Sequence, residues 1–350
     1  MTGEITAQVH IDPADYWSLA PEWNQLLGSM NETNPFLSPQ WVGLSYEYFA
    51  GDSESLLVSL RMGERLVGIA PLAISKGGHP VVHFAVDPLL TDYADLILAP
   101  ESRAGAVQAV VEAMRDRMVG KEFGVFLSPV RGDSPNLLLL EKALGGQKSL
   151  ASEHLFLHLP SSVDEFTYRV MRAADHKTLL KKADKLMRSH EVEIEVLVSP
   201  LEVSENLDDI LWMFVSESPQ KKEFLSTERE AFLREVLPLV ARGDACRLYY
   251  LKVDGMRTAG HIALESTNST LIYMSAEGAH HQSLSPGVLL LRSVIENAIE
   301  RGLSFVDFGR GGEAYKRRFG AKEGKVYRFT AGRVPTEAMA GGKPPNAMTI

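Results

Sequence analysis

Two stretches of this chain match at one fixed offset, and that match limits the folds open to it more than any other feature. Leu56 to Leu72 runs parallel to Leu248 to Leu264, with Gly63 over Gly255, Arg65 over Arg257 and Gly68 over Gly260. Each stretch reads as a β-hairpin. The first glycine of each pair falls in the turn, where positive φ costs little, and the second falls in the returning strand, where a bulge is expected. The order of the downstream elements also repeats. After the first hairpin the pattern gives a strand over 93–98, a helix over 103–119 and a strand over 123–128. After the second it gives a strand over 270–276, a helix over 288–301 and a strand over 303–308. A duplicated α/β (α+β) domain accounts for both series.

The length of 350 residues holds two such domains, and 45% hydrophobic with 23% charged residues is a globular composition. We place an N-terminal domain at 1–158 and a C-terminal domain at 159–334. The Gly- and Pro-rich end, 335–350, reads as a disordered tail. A net charge of -9 argues against broad DNA binding, which needs a basic footprint. The one cysteine, Cys246, excludes an internal disulfide and a cysteine-cluster zinc site. No stretch has the apolar length of a membrane span, and residues 1–6 lack a basic, apolar leader, so the expected location is the cytosol.

Chemistry concentrates near the end of the second repeat. The strand Phe305–Phe308 carries Asp307 in its middle and opens into Gly309, Gly311 and Gly312, followed by Glu313, Tyr315 and Lys316. A strand that is merely buried stays apolar to its end. Just upstream, Ser285 is placed as an N-cap, Pro286 sits where proline loses no hydrogen bond, and Gly287 gives close access to the backbone. The first N–H groups of that helix, on Gly287, Val288 and Leu289, have no partner inside it. Free donors at the positive end of a helix suit a phosphate.

The run Ser285-Pro286-Gly287, then Asp307-Phe308-Gly309, Glu313, Tyr315-Lys316 and Phe319-Gly320, resembles the C-terminal half of GNAT-like acyltransferases of the BioF2-like group. These are relatives of the FemAB aminoacyltransferases and of the CelD/BcsL proteins of cellulose synthesis. A looser resemblance covers Asn34-Pro35-Phe36 with Trp41, the strand Gly68–Leu72, and Thr91-Asp92-Tyr93 with Asp95. It implies two tandem GNAT-like domains, each a mixed, largely antiparallel sheet flanked by helices. The first domain would lie on the acceptor side. The second would be the catalytic one, using acetyl-CoA or another acyl-CoA, with no metal. The glycine-rich phosphate loop of ordinary GNAT enzymes is not matched, since residues 281–287 offer one glycine.

Acyl transfer from a thioester to an amine needs a deprotonated acceptor, a stabilised oxyanion and a proton for the leaving thiolate. In GNAT-like folds the pantetheine arm lies between two strands that correspond here to 270–276 and 304–308. That places the backbone of Met274 and Ser275 as oxyanion and pantetheine donors. Asp307 and Glu313 are candidate bases; equally, Asp307 can cap the glycine loop and Glu313 can start a helix. Tyr315 or Tyr273 can protonate the thiolate or serve in packing. Lys316 is expected to pair with donor phosphate or with Asp307.

A helix from about Val163 to Ser189 is strongly basic, with Val170, Ala173, Leu180, Ala183 and Met187 as its packing stripe. Its charges are either a solvated face or a site for an anion. Helices over 207–215 and 227–241 come next, and Trp212, Phe214 and Phe224 are candidates to line an acceptor pocket. No long helical arm is inserted between Glu191 and Arg247, which disfavours tRNA and favours acyl-CoA. No nucleophile elbow, Walker loop or helical metal-ligand spacing occurs. The function expected is N-acylation of a small amine-bearing metabolite or sugar, with envelope or exopolysaccharide synthesis as its setting. The alternatives are a FemAB-type aminoacyl-tRNA-dependent transferase and a non-catalytic polysaccharide-assembly subunit.

Overall fold

Gly63 and Gly255 sit in tight turns with φ of 60° and 80°, so both predicted hairpins form where the repeat puts them. In a computed structural model, residues 4–76 and 78–336 are described. The tail assigned to 335–350 therefore falls outside the described residues except for its first two. The chain divides into two compact units. One runs from the N-terminus to Ser152 and takes in the chain again from Lys325. The other is Glu153–Gly324. The boundary thus falls earlier than 158/159, and the last strand leaves the second unit for the first.

The first unit contains strands β1 (Ile5–His10), β2 (Glu54–Met62), β3 (Arg65–Ile74), β4 (Val81–Phe84), β5 (Ile97–Leu98) and β6 (Gly124–Arg131). Its helices are α1 (Ala14–Ser18), α2 (Ala20–Ser29), α3 (Pro39–Phe49), α4 (Arg103–Arg117) and α5 (Leu137–Leu144). The sheet order is β1-β2-β3-β4-β6, with β5 beside β3. Pairing is antiparallel except between β4 and β6, which run parallel. The strand expected over 93–98 shrinks to β5. Its first backbone groups are used elsewhere: Asn34 Nδ2 donates to Tyr93 O at 3.1 Å, and Ala94 N to Pro129 O at 2.7 Å. The short β4 takes the place beside β6.

A strand, β7 (Gln147–His158), carries the chain into the second unit. There the helices are α6 (Val163–Glu165), α7 (Ala173–Ser189), α8 (Pro200–Glu217), α9 (Pro219–Phe224), α10 (Thr227–Ala241), α11 (Pro286–Glu300) and α12 (Ala314–Arg317). The strands are β8 (Val192–Leu197), β9 (Cys246–Val253), β10 (Met256–Glu265), β11 (Ser269–Glu277), β12 (Phe305–Arg310) and β13 (Lys322–Ala331), and β13 returns to pair antiparallel with β6. The sheet order is β7-β12-β11-β10-β9-β8, with β11 and β12 parallel. Each repeat therefore lends its final strand to the other unit. Helices cover both faces of this second sheet. Tyr249, Leu251 and Val253 join a core with α7 and α11, while the neighbouring Tyr250 hydroxyl donates to Asn206 O on α8.

Several local expectations change. The basic helix over 163–189 is broken at Met171 and Arg172, both extended, after a π-turn in which Met171 N bonds Phe166 O. The break lets Phe166 and Met171 both bury, and it rotates the rest of the helix: Leu179 and Leu186 pack inward, while Leu180 and Met187 face out. Phe214 and Phe224 are buried against each other rather than lining a pocket, and Trp212 is exposed. Gly68 and Gly260 are not the bulged residues. The extra residues are Val67 and Thr258, and the glycines are instead sites of close packing. A Cβ on Gly68 would lie 2.8 Å from Leu60 and Leu98. One on Gly260 would lie 2.9 Å from Ile210.

Gly260→Ala should therefore lower unfolding free energy by about 1–3 kcal/mol through overpacking. Gly28→Ala, inside α2 with nothing within 4 Å of the new methyl, should raise it by about 0.5–1 kcal/mol. Urea denaturation of both variants checks the pair; equal effects would contradict the packing account.

Candidate active site

Parallel pairing between β11 and β12 lasts three residues, ending at Leu271 opposite Asp307. Beyond that point, among the described residues, β11 keeps only its pairing to β10, and β12 keeps only β7, reached again at Arg310 opposite His154. The two strands open into a fork. On β11 the register slips by one between Ile262/Met274 and Ala263/Ile272, which makes Tyr273 the bulged residue just inside the opening. A bulge re-aims neighbouring backbone groups and is common beside functional sites. The predicted donors Met274 and Ser275 come directly after it.

The base of the fork is built by the glycine loop. Asp307 is buried, and its Oδ1 accepts from Gly309 N at 2.8 Å, so the capping role is realised. Its Oδ2 lies 3.9 Å from His154 Nδ1. Gly311 has a φ of 113°, a conformation L side chains rarely adopt, and the Glu313 carboxylate packs over the space a Cβ would take, 2.6 Å away. Lys316 does not pair with Asp307. Its buried ammonium donates to Phe308 O at 2.7 Å and lies 2.7 Å from Glu313 Oε2. Glu313 makes no side-chain capping bond to α12, because its carboxylate serves this ion pair. Burial, and next the carboxylates of Glu313 and Glu217, push the Tyr315 hydroxyl far above the usual phenol range, so it stays protonated.

The other end of β11 differs from the sequence expectation. Ser285 is left-handed and makes no cap; its Oγ accepts from Lys182 Nζ at 2.6 Å. Val288 N and Leu289 N both donate to Ser285 O, so neither is free. Gly287 N faces a carboxylate, Glu277 Oε1, at 3.4 Å. A negative group already stands where a diphosphate was expected, drawn there by the same helix dipole. Burial raises the Glu277 carboxyl pKa, and neighbouring Glu217 adds to it, against the opposing pull of Gly287 N–H, Lys182 and Lys221. Glu217 also accepts from Glu277 N at 2.8 Å and forms a buried ion pair with Lys221.

His261 ties these parts together. It is fully buried on β10, with Nε2 3.0 Å from Gly287 O and Nδ1 2.7 Å from Ser275 Oγ. A carbonyl can only accept, so Nε2 carries the proton and Nδ1 accepts from the serine. Burial lowers its pKa to about 4, keeping the ring neutral. Sequence reasoning missed His261, Glu277, Glu217 and Lys221, and took Lys182 only as one charge of the basic helix. The only signal was polar residues within strands or helix ends that read as buried, as His261 and Glu277 do.

Residues 173–317 match the family described as "Acetyltransferase (GNAT) domain". These residues are a GNAT acetyltransferase domain. The matched span takes in the fork, the start of α11 and Lys316, so this part of the chain is an acyltransferase domain of GNAT type. No curated protein sequence matches the chain. Solved structures match it at low identity across nearly its whole length. FemX aligns at TM-score 0.63 and 11% identity, over 97% of this chain and 100% of FemX. L-PGS from Bacillus licheniformis aligns at 0.60 and 12%, over 97% of each chain. A tandem GNAT protein from the clavulanic acid biosynthesis pathway aligns at 0.51 and 14%, over 95% of this chain and 99% of that one. These likenesses bear on the fold, and they extend the GNAT architecture to both units.

In the first unit, the residues that carried the looser resemblance come together. Trp41 Nε1 donates to Thr91 Oγ1 at 3.0 Å, and Phe36 packs edge-on against Trp41 and Tyr93. Nearby is a pocket of about 170 Å³ lined in part by Asn34, Tyr93, Asp95, Arg131 and Asp133. Burial raises the Asp95 pKa to about 6, and Asn136 Nδ2 and Leu96 N bond its Oδ1.

The neutral His261 makes stability depend on pH. Its folded pKa of about 4 lies below the ordinary 6.5, so the unfolded chain binds the proton first as pH falls. Its contribution is whole above pH 6.5 and is lost progressively toward pH 4, by roughly 3 kcal/mol in all. In His261→Gln, that part of the stability–pH profile should flatten. Thermal or urea unfolding of both proteins across this range measures it, and an unchanged profile would contradict the assignment.

Proposed function

We propose that the second unit transfers an acyl group from an acyl-CoA thioester, acetyl-CoA being the simplest, to the amino group of a small metabolite or sugar. The observation that carries this reading is the fork between β11 and β12, with its bulge at Tyr273, inside a matched GNAT acetyltransferase domain. The thioester supplies an activated carbonyl whose leaving group is a thiolate. The chain's residues supply the rest. Backbone N–H groups around Met274 and Ser275 face the developing oxyanion, and the Lys316 ammonium at Phe308 O adds positive charge beside it. Asp307 takes the proton from the attacking amine as the N–C bond forms. Tyr315, held protonated by burial, donates a hydrogen bond to the sulfur as the C–S bond breaks, and the thiolate leaves to take its proton from water. Glu313 holds Lys316 in place, and Tyr273 shapes the mouth of the fork.

At the start of α11 the fit is conditional. Of Lys182, Ser285, Pro286, Gly287 and Val288, it is Lys182 that would hold a diphosphate, by exchanging its serine for a phosphate oxygen, because the Gly287 and Val288 N–H groups already have acceptors. Glu277 opposes it while ionised. That same carboxylate favours a second reading, a FemAB-type transferase whose donor, an aminoacyl-tRNA, places no diphosphate there. Envelope or exopolysaccharide synthesis is the setting we propose for either, in the cytoplasm.

Acetyl-CoA titrated into the protein by calorimetry should bind saturably, more tightly at low pH than above neutrality, because Glu277 must be protonated. Glu277→Gln, which removes the opposing negative charge, should tighten binding severalfold and remove the pH dependence. An absence of acetyl-CoA binding by both proteins, with aminoacyl transfer from charged tRNA, would replace the first reading by the second.

A further inference from the structure

Four basic side chains on α7 fall on one line. Lys177, Lys181, Lys185 and Arg188 are spaced four, four and three residues apart, all are exposed, and none forms an ion pair among the described residues. They stand in a chain of net charge -9, where surface cations elsewhere are commonly paired, as Arg61 is with Glu22 and Arg257 with Glu195. Lys182, the remaining lysine of the helix, turns inward to Ser285. Of the helix's two acids, Asp175 lies 3.9 Å from Arg318, and Asp184 is exposed on the stripe's flank.

Beside the stripe lie two apolar side chains that face solvent: Leu180, 40% exposed, and Met187, 59% exposed, seven residues apart and so two turns apart on one face. The break at Met171 and Arg172 produces this arrangement, because it turns Leu179 and Leu186 into the core and leaves Leu180 and Met187 outside. A row of cations with an adjoining apolar edge matches the chemistry of an anionic bilayer surface, where headgroups attract the lysines and the acyl boundary takes up the apolar tips. A nucleic acid fits less well. Tyr, Phe and Trp are absent from α7, so it offers no stacking platform, and three of the four stripe cations are lysines, which lack the planar fork of arginine. No helix among the described residues is long and apolar enough to cross a membrane, so contact of this kind is peripheral.

We propose that the outer face of α7 docks the protein on an anionic phospholipid surface, with Lys177, Lys181, Lys185 and Arg188 against the headgroups and Leu180 and Met187 at the acyl boundary. The test is flotation of the full chain with vesicles of phosphatidylcholine alone and of phosphatidylcholine mixed with phosphatidylserine. Binding is expected only with phosphatidylserine, weakening as salt rises. Each of the four cations changed to glutamine should weaken it by about fivefold. Leu180→Ser with Met187→Ser, which keeps every charge, should also weaken it severalfold, and circular dichroism checks that each variant is folded. Failure of the wild-type protein to float with phosphatidylserine vesicles overturns the proposal. So does flotation unaffected by the glutamine changes, or binding of bulk tRNA through the same four residues without vesicle binding.

Discussion

The end of hydrogen bonding between β11 and β12 at Leu271 and Asp307 is the constraint on which the second unit is organised. Two parallel strands would normally continue pairing for their full length. Here β11 gains a residue at Tyr273, while Asp307 folds its carboxylate onto Gly309 N where the register of β12 against β7 shifts. Both departures use polar or backbone groups that a purely structural strand would not spend in this way. The result is an opening inside a sheet, walled by strands that are each paired on their far sides.

Charge at the opening is arranged in buried, mutually satisfied groups. Lys316 is held by Glu313 and Phe308 O, and Lys221 by Glu217. Buried charges of this kind persist only when paired, and removing one partner leaves the other without compensation. His261 supplies a neutral link between β10, Ser275 on β11 and Gly287 on α11. One imidazole therefore fixes the strand that carries the proposed oxyanion donors and the helix start that faces Glu277.

Periodicity and turn chemistry made much of the fold legible. The paired glycines at 63 and 255 located both hairpins, and the apolar spacing of 227–241 matched α10 end to end. Four things were not legible. The exchange of β7 and β13 between repeats depends on pairing over long sequence separation, which no local pattern encodes. The break at Met171 carries no proline or glycine; it arises because Phe166 and Met171 both bury, a tertiary demand. At the site, Ser285 read as an N-cap because serine before proline usually is one, but a left-handed backbone there turns its hydroxyl to Lys182. The position of Glu277 opposite Gly287 likewise depends on where β11 ends in space, not on any spacing in the chain.

If the fork is the seat of a thioester donor, the amides of β11 from Ile272 to Glu277 must become less accessible when that donor enters. Hydrogen–deuterium exchange of the protein with and without acetyl-CoA reads this directly. The account predicts added protection confined to 272–277, the start of α11 and 308–310. Exchange in those segments that is the same with saturating donor, or protection that appears only elsewhere, would contradict it.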